Sequence, residues 1–453
     1  MSTLAFGAEI RNAPIESVDQ LVELYHRSYK PTSRHRVGLE LEAMPVRADG
    51  SPVPYEAPQG PSIRALLERL GSASGMRPTF EHQHLIGLEG PEGTVSLEPG
   101  GQVEFSTLPA ATLHEVSDLA ARHLRHLREA SRQIDLHWAE LGYQPIASLE
   151  ETEWMPKERY RIMREYLPTK GRLALRMMSQ TASIQCSFDF SDEDDLQRKF
   201  RATNRLTPLV QAIFANSPFR HGRASRYLSY RTQIWEQTDP ERCGLLPLAF
   251  EEGDIPERYV QYALDVPMMF LLRNDRWLPM RGFSFREFLR RGYEGRAPTL
   301  ADWGLHLSGV FTQVRLKAFV EVRAHDLVPA EMVLAVPALW KGILYDREAM
   351  EAALDLVRGL SYRQAAALMG AVARNGLRAE HRGRPLLEAA RELLRIASKG
   401  LQRQGKRRAD DGRDERIYLE PIEELLARGL TPAELFLQRY QRDWKGDLLK
   451  ALI

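Results

Sequence analysis

Residues 95–107 read VSLEPGGQVEFST, two short alternating runs separated by Pro99-Gly100-Gly101. Proline presets one turn dihedral and glycine supplies positive φ at no steric cost, so the separator is a turn signal. Val95 and Leu97 before it, and Val103 and Phe105 after it, define one apolar face. Glu98, Gln102, Glu104 and Ser106 carry polar groups around the turn and along the returning strand. The stretch predicts an antiparallel hairpin that buries one face and offers carboxylates on the other.

Three further segments repeat this arrangement. In RVGLELE (36–42), Val37, Leu39 and Leu41 oppose Gly38, Glu40 and Glu42; glutamates two apart on a strand share a face at about 6.5–7 Å. In SIQCSFDF (183–190), Ile184, Cys186, Phe188 and Phe190 oppose Ser183, Gln185, Ser187 and Asp189. In AFVEVR (318–323), Val320 and Val322 oppose Glu321 and Arg323. A solvated face over a buried one explains any single strand. Solvated faces are usually mixed in charge, however, whereas these gather Glu40, Glu42, Glu98, Glu104 and Glu321 against one arginine. Such carboxylates repel one another unless a cation neutralises them, and hard oxygen donors select Mg²⁺ or Mn²⁺. Magnesium shares its shell with phosphates, which points to a nucleotide. Neither a GxxxxGK[ST] loop nor a GxGxxG fingerprint occurs, so metals and basic side chains would have to hold it.

Opposite charge comes from residues 215–248, where Arg220, Arg223, Arg226, Arg231 and Arg242 lie among aromatics. Guanidinium groups bind carboxylates bidentately, as a clamp on an amino-acid substrate requires. Arg231 falls in LSYRTQIW (228–235), which reads as a strand, and the loop 218–230 is a candidate lid.

Amphipathic helices are predicted over 112–138 and 192–214, the second with acids in its first turn. From Asp346 onward the patterns are almost purely helical, with candidates at 347–360, 385–402, 421–427 and 431–449. This divides the chain into a catalytic α+β core, 1–345, and a helical region, 346–453. Residues 402–416 (QRQGKRRADDGRDER) read as a solvated charged loop.

The 453 residues carry 62 basic and 61 acidic side chains, a net charge of +1 that gives no steering toward nucleic acid or membrane. No apolar run is long enough to span a bilayer, and MSTLAFGAEIRNAP at the N-terminus lacks the layout of a signal peptide. Two cysteines, Cys186 and Cys243, are too few for a disulfide framework. Together these predict a cytoplasmic protein.

These motifs resemble the glutamate–cysteine ligases of the plant and proteobacterial type, a branch of the carboxylate–amine ligases that share a glutamine-synthetase-like catalytic sheet. SLEPGGQVEFS is the most specific match. MPKERYRIMREYLP (155–168), LRMMSQTASIQCSFDF (175–190), FRATNRLTPLVQAIFANSPF (200–219), YLSYRTQIWEQTDPERCGLLP (227–247), YVQYALDVPMMF (259–270) and FVEVRAHD (319–326) follow in the family's order. The resemblance implies an α+β fold with a curved, mainly antiparallel sheet, packed helices and a helical C-terminal region. It implies ATP-dependent joining of the γ-carboxylate of L-glutamate to the amine of L-cysteine, with a different amine acceptor as the alternative, in a monomer or homodimer. Carried over by residue, it makes Glu40, Glu42, Glu98, Glu104 and Glu321 metal ligands and gives Glu98, Glu104 and Arg323 catalytic roles. Arg231 and Arg323 become the glutamate clamp, Gln185 a support for metal and nucleotide, and Tyr262 and Trp235 the acceptor pocket. The chain departs from the plant pattern at Ser187, where asparagine is common, and at SQTAS, where RTCT is usual. Neither cysteine falls where the plant redox pair would need it, so no disulfide regulation is expected.

Overall fold

The computed structural model describes residues 13–452; most of the N-terminal stretch read above lies outside them. Alternating segments assemble into a nine-stranded sheet: β1 (Val37–Val46), β2 (Arg77–Glu81), β3 (His84–Gly90), β4 (Gly93–Leu97), β5 (Val103–Thr107), β6 (His137–Ala139), β7 (Ser183–Phe188), β8 (Val314–Leu316) and β9 (Val320–Asp326). Its order is β8-β9-β7-β1-β5-β4-β3-β2, and β6 pairs the far end of β1. All these pairings are antiparallel. The α+β expectation therefore holds as an open antiparallel sheet with packed helices.

The apolar faces of β1 and β7, including Val37, Leu39, Leu41, Ile184, Cys186 and Phe188, form one buried cluster with helices Glu193–Ile213 and Ala335–Leu344 and with C-terminal residues such as Met350, Leu393 and Leu401. Helix Glu193–Ile213 starts where expected. Asp192 caps it by accepting a hydrogen bond from the Asp195 amide at 2.9 Å, and three acids follow in the first turn.

Several boundaries differ from the sequence reading. Helix Leu113–Arg132 opens on a Thr112/Glu115 capping box but stops six residues short of 138; the chain reverses through Asp135 at φ 54°, and Trp138 enters β6. The far end of β1, Met44–Val46, extends past its pairing with β5 and β7 and pairs that segment instead, overriding helical spacing. Residues 228–235 form a helix, Tyr230–Trp235, rather than a strand, because the Ser229 hydroxyl caps it by accepting from the Thr232 amide. In the C-terminal region, helices Arg347–Leu356, Leu386–Gln404, Glu420–Ala427 and Pro432–Arg442 match four expectations, and Tyr362–Asn375 adds one that was not foreseen. The charged stretch 402–416 is not solvated throughout: Glu415 is fully buried against Lys341. Among the described residues, no helix is long and apolar enough to cross a membrane.

Candidate active site

Register turns the alternation of single strands into one polar surface. Glu42 on β1 lies opposite Glu104 on β5, which lies opposite Ser96 on β4; Glu40 lies between Ser106 on β5 and Gln185 on β7. Directly opposed side chains have Cβ atoms about 4.5–5.5 Å apart. Glu98 joins them from the turn, where its amide donates to the Gln102 carbonyl at 2.8 Å. That turn needs glycine at position 100, since a Cβ there would lie 2.0 Å from the Ser179 carbonyl oxygen. Gln102 fastens the turn: its Oε1 accepts from the Gly100 amide at 2.9 Å, and its Nε2 donates to the carbonyls of Met178 and Thr181 at 3.1 and 2.9 Å.

Above this surface lies a cavity of about 530 Å³. Glu40, Glu42, Glu98 and Glu104 line it, together with Gln185. Cations stand at its two ends. Arg315, Lys317 and Arg323 come from the β8–β9 side, and Lys157 and Arg159 from beside β4. Four strand steps of about 4.8 Å put β9 roughly 19 Å from β4. Met163, Trp235, Met269, Phe270, Trp277 and Phe311 form an apolar wall facing the charges.

The carboxylates differ sharply in environment. Burial, with Glu104 and Glu321 adding repulsion, pushes Glu40 up to about 7. Burial, with Glu104 and Glu98, pushes Glu42 up to about 8, although Ser183 Oγ and Gln185 Nε2 each donate to it at 2.7 Å. Glu104 is likewise raised by burial and by Glu98. Glu321 behaves oppositely. Burial would raise it too, but Arg315, Lys317 and Arg323 hold it well below the usual carboxylate range. Arg315 donates to its Oε2, Lys317 to its Oε1 at 2.8 Å, and Arg323 lies 3.2 Å from Oε2. Of the five glutamates expected to bind metal, four line the cavity, while Glu321 does not and is enclosed by Arg315, Lys317 and Arg323.

Arg323 lines the cavity as expected, donating to Gln185 Oε1. Arg231 does not. It lies one layer behind, donating to the Ala324 and Arg323 carbonyls at 3.1 Å each where β9 bulges, with its guanidinium 5.4 Å from the Trp235 ring centre. Of the two acceptor-pocket residues, Trp235 lines the cavity. Tyr262 does not line it but sits on a separate groove, its hydroxyl donating to the Glu241 carbonyl at 3.0 Å. Residues 218–230 do not reach the cavity; the hairpin Phe270–Arg273/Arg276–Pro279 overhangs it instead. Lys157, Arg159, Arg315 and Lys317 have no forerunner among the expected site residues. Of these, Arg315 and Lys317 alternate with apolar neighbours in VRLK, a signal that was legible. Cys186 lies in the apolar cluster, where burial raises its thiol well above the ordinary value; Cys243 is raised by burial to about 12.

Among the described residues, no three His, Cys, Asp or Glu side chains form a ready-made metal cage. Magnesium does not require one, since it keeps several waters and takes one or two carboxylates plus substrate phosphates. Three buried donors around the cavity lack partners: Arg159 Nε, Arg323 Nε and Trp235 Nε1. Raised carboxylates beside unsatisfied N–H groups fit a cation together with an acceptor-rich anionic ligand.

The family described as glutamate-cysteine ligase family 2 matches residues 36–452. The chain belongs to this family. It is therefore a ligase-family enzyme along nearly its whole length. It is 36% identical to glutamate–cysteine ligase B, chloroplastic, of Oryza sativa subsp. japonica, over 98% of this chain and 89% of that protein. It is 35% identical to the chloroplastic glutamate–cysteine ligase of Arabidopsis thaliana, over 96% of this chain and 82% of that one. A crystal structure of glutamate–cysteine ligase from Francisella tularensis in complex with AMP superposes with a TM-score of 0.54 at 14% identity, covering 93% and 88% of the two chains, and shows the shared fold. The plant names also correct the cytoplasmic expectation: the rice, tobacco and Arabidopsis relatives are all chloroplastic. A low cysteine count and a balanced charge do not say which compartment holds the chain.

Proposed function

We propose that this chain joins the γ-carboxylate of L-glutamate to the amine of L-cysteine at the expense of ATP, giving γ-glutamylcysteine, ADP and phosphate. The observation that carries this is the cavity: carboxylates across its floor, cations at both ends and an apolar wall, in a chain that a ligase family matches over residues 36–452. A carboxylate is a poor acyl donor. The γ-carboxylate of glutamate would therefore attack the γ-phosphorus of ATP, forming γ-glutamyl phosphate as ADP leaves. The cysteine amine then attacks the acyl carbon, the C–N bond forms and phosphate departs.

Glu40, Glu42, Glu98 and Glu104 would hold Mg²⁺ or Mn²⁺, which supplies charge neutralisation for the transferring phosphoryl group. Arg323 binds the α-carboxylate of glutamate, oriented by Gln185 and Glu321. Arg231 supports it by fixing the bulged carbonyls of β9. Trp235 borders the acceptor, and the Met and aromatic wall keeps water from the acyl phosphate. Residues 1–345 would carry the chemistry, with 346–453 buttressing the sheet from behind.

The test is ADP release by the purified chain with ATP, Mg²⁺ and glutamate, comparing L-cysteine with other amines and identifying products by mass spectrometry. Cysteine-dependent γ-glutamylcysteine supports the reading. Preference for another amine replaces the acceptor, and absence of turnover with every amine refutes the ligase assignment.

A further inference from the structure

Asp326 closes β9, 0% exposed and outside the cavity lining, and the chemistry proposed above makes no use of it. Neutral donors converge on its carboxylate. The Asn216 amide and the Ser217 hydroxyl donate to Oδ2 at 2.8 and 2.7 Å, and the Ser229 hydroxyl and Gln211 Nε2 donate to Oδ1 at 2.9 and 3.2 Å. Gly142 passes so close that a Cβ there would lie 2.6 Å from the Asp326 Cβ, which walls the side chain in on that side. A buried charge is costly, and a neutral side chain of this size would fill the same space more cheaply. What sets a carboxylate apart is that both oxygens only accept, so it can take all these donors at once.

The donors lead back to the cavity. Each serine hydroxyl gives its proton to Asp326, which leaves its lone pairs to accept a backbone amide: Ser217 Oγ from Arg231 at 3.0 Å, and Ser229 Oγ from Thr232 at 3.2 Å. Both amides lie in the first turn of helix Tyr230–Trp235, so the carboxylate sets the direction of both bonds and thereby where that helix starts. Arg231 then returns to β9, donating to the Ala324 and Arg323 carbonyls at 3.1 Å each, and it is the cation whose charge offsets Asp326 through space. Trp235, at the other end of the helix, lines the cavity, as does Arg323. The contacts close a ring: Asp326 holds the serines, the serines hold the helix, and the helix holds the bulge that carries Arg323.

We propose that Asp326 is a positioning residue that pins helix Tyr230–Trp235 to the end of β9, holding Arg323 and Trp235 at a fixed separation so that activated glutamate meets the amine and not water. This rests on the ligase reading and deepens it, by adding a group that couples the two half-reactions. An acyl phosphate survives only while water is kept from it. A cavity wall displaced by about 1 Å no longer holds the reacting groups in line. Water attack on the acyl carbon then returns glutamate and phosphate, and ADP accumulates without dipeptide.

The purified full chain is assayed with ATP, Mg²⁺, L-glutamate and whichever amine supports turnover, and ADP and γ-glutamyl product are quantified in the same reaction. Wild type should give the two in equal amounts. Asp326→Asn keeps the shape but turns one accepting oxygen into a donor facing donors. It should release ADP in about twofold or greater excess over product and raise the glutamate KM about tenfold, with the ATP KM within about twofold of wild type. Neither the product ratio nor a KM depends on how much of the protein is folded, so a merely stabilising role would leave both unmoved. Lys341→Met, which breaks a buried ion pair outside the cavity, should accordingly keep ADP and product equal. Ser229→Ala removes one link and leaves the carboxylate in place; it should uncouple in the same direction and decides the matter where Asp326→Asn does not fold. Equal ADP and product in these variants, or an ATP KM that rises as much as the glutamate KM, overturns the proposal. Wild-type protein that forms no γ-glutamyl product with any amine sinks the ligase reading and this assignment with it, whereas a productive wild type beside a fully coupled Asp326→Asn sinks this assignment alone.

Discussion

Replacing Lys341 by methionine should destabilise the protein far more than a surface charge change would. Lys341 lies on helix Ala335–Leu344, and Glu415 opens the short 3₁₀ turn Glu415–Leu419; their side chains are 2% and 0% exposed. The ammonium donates to Glu415 Oε1 at 2.6 Å and also to Oε2, and the Leu113 amide donates to Oε1 at 2.6 Å. Methionine fills similar volume but leaves a buried carboxylate with a single backbone donor. Breaking a buried pair from one side costs about 3–5 kcal/mol. Removing both charges in Lys341→Met/Glu415→Leu avoids the isolated ion and leaves mainly an unsatisfied Leu113 amide, about 1–3 kcal/mol. Urea unfolding at neutral pH should therefore rank wild type above the double variant and the double above the single. Turnover at low temperature should be unchanged, since neither residue lines the cavity. A single variant within about 1 kcal/mol of wild type, or a double no more stable than the single, would refute the reasoning.

Gly100→Ala should cost about 1–3 kcal/mol and most of the activity, because its Cβ meets the Ser179 carbonyl oxygen at 2.0 Å; normal melting and turnover would show that the turn can shift. Arg323→Lys should raise the glutamate KM at least about tenfold, through loss of a charge-assisted donor worth about 1.5–3 kcal/mol, with the ATP KM little changed; equal rises in both would remove it from the glutamate clamp. Tyr262→Phe loses only an outer hydrogen bond to the Glu241 carbonyl, so cysteine-dependent turnover should match wild type, and a fall of more than about fivefold would restore it to the acceptor pocket. Glu40 and Glu42 have folded pKa values raised to about 7 and about 8, so the metal-free fold binds protons that the unfolded chain releases. Their stabilising contribution is complete below the unfolded value and is lost as pH rises through 7 and 8. In chelator, the melting temperature should therefore fall across that window, and added Mg²⁺ should restore more of it at the alkaline end; Mg²⁺ protection independent of pH would contradict the carboxylate assignment.

The polar face was legible because alternation is a property of each strand alone: Glu40, Glu42 and Glu104 can be assigned a side without knowing their neighbours. Register was not, since the opposition of Glu42 to Glu104 depends on β1 lying between β5 and β7. The enclosure of Glu321 escaped for the same reason: Arg315 sits across a strand pair, and only the pairing of β8 with β9 brings the two together. Residues 230–235 misled because Tyr, Thr, Ile and Trp favour strands, whereas the Ser229 cap and its bond to buried Asp326 at 2.9 Å fix a helical turn. Helix Tyr362–Asn375 carries a Ser361/Gln364 capping box and buried Ala365, Leu368, Met369 and Val372, but alanine-rich faces give a weak stripe. Lys157 and Arg159 follow no periodicity at all; their meaning lies in what the helix start is packed against.

A net charge of +1 conceals a strong internal separation. The fold neutralises one carboxylate, Glu321, with three cations of its own, yet leaves Glu40, Glu42 and Glu104 raised by burial and mutual repulsion. It could have interleaved the two signs, because Arg315, Lys317, Lys157 and Arg159 line the same cavity. Instead they stand at opposite edges, roughly 19 Å apart across the sheet. Interleaved charges satisfy one another, as Glu321 and its three cations do; the separated carboxylates leave the floor to be completed by a cation. An antiparallel sheet permits this at little cost in chain length, since each strand contributes one or two groups to a given row and the row, not the sequence, sets their spacing. Residues as distant along the chain as Glu40 and Arg323 thereby come to line one cavity, and under the proposed reaction the stability sacrificed on the carboxylate face would become binding energy available to the substrates.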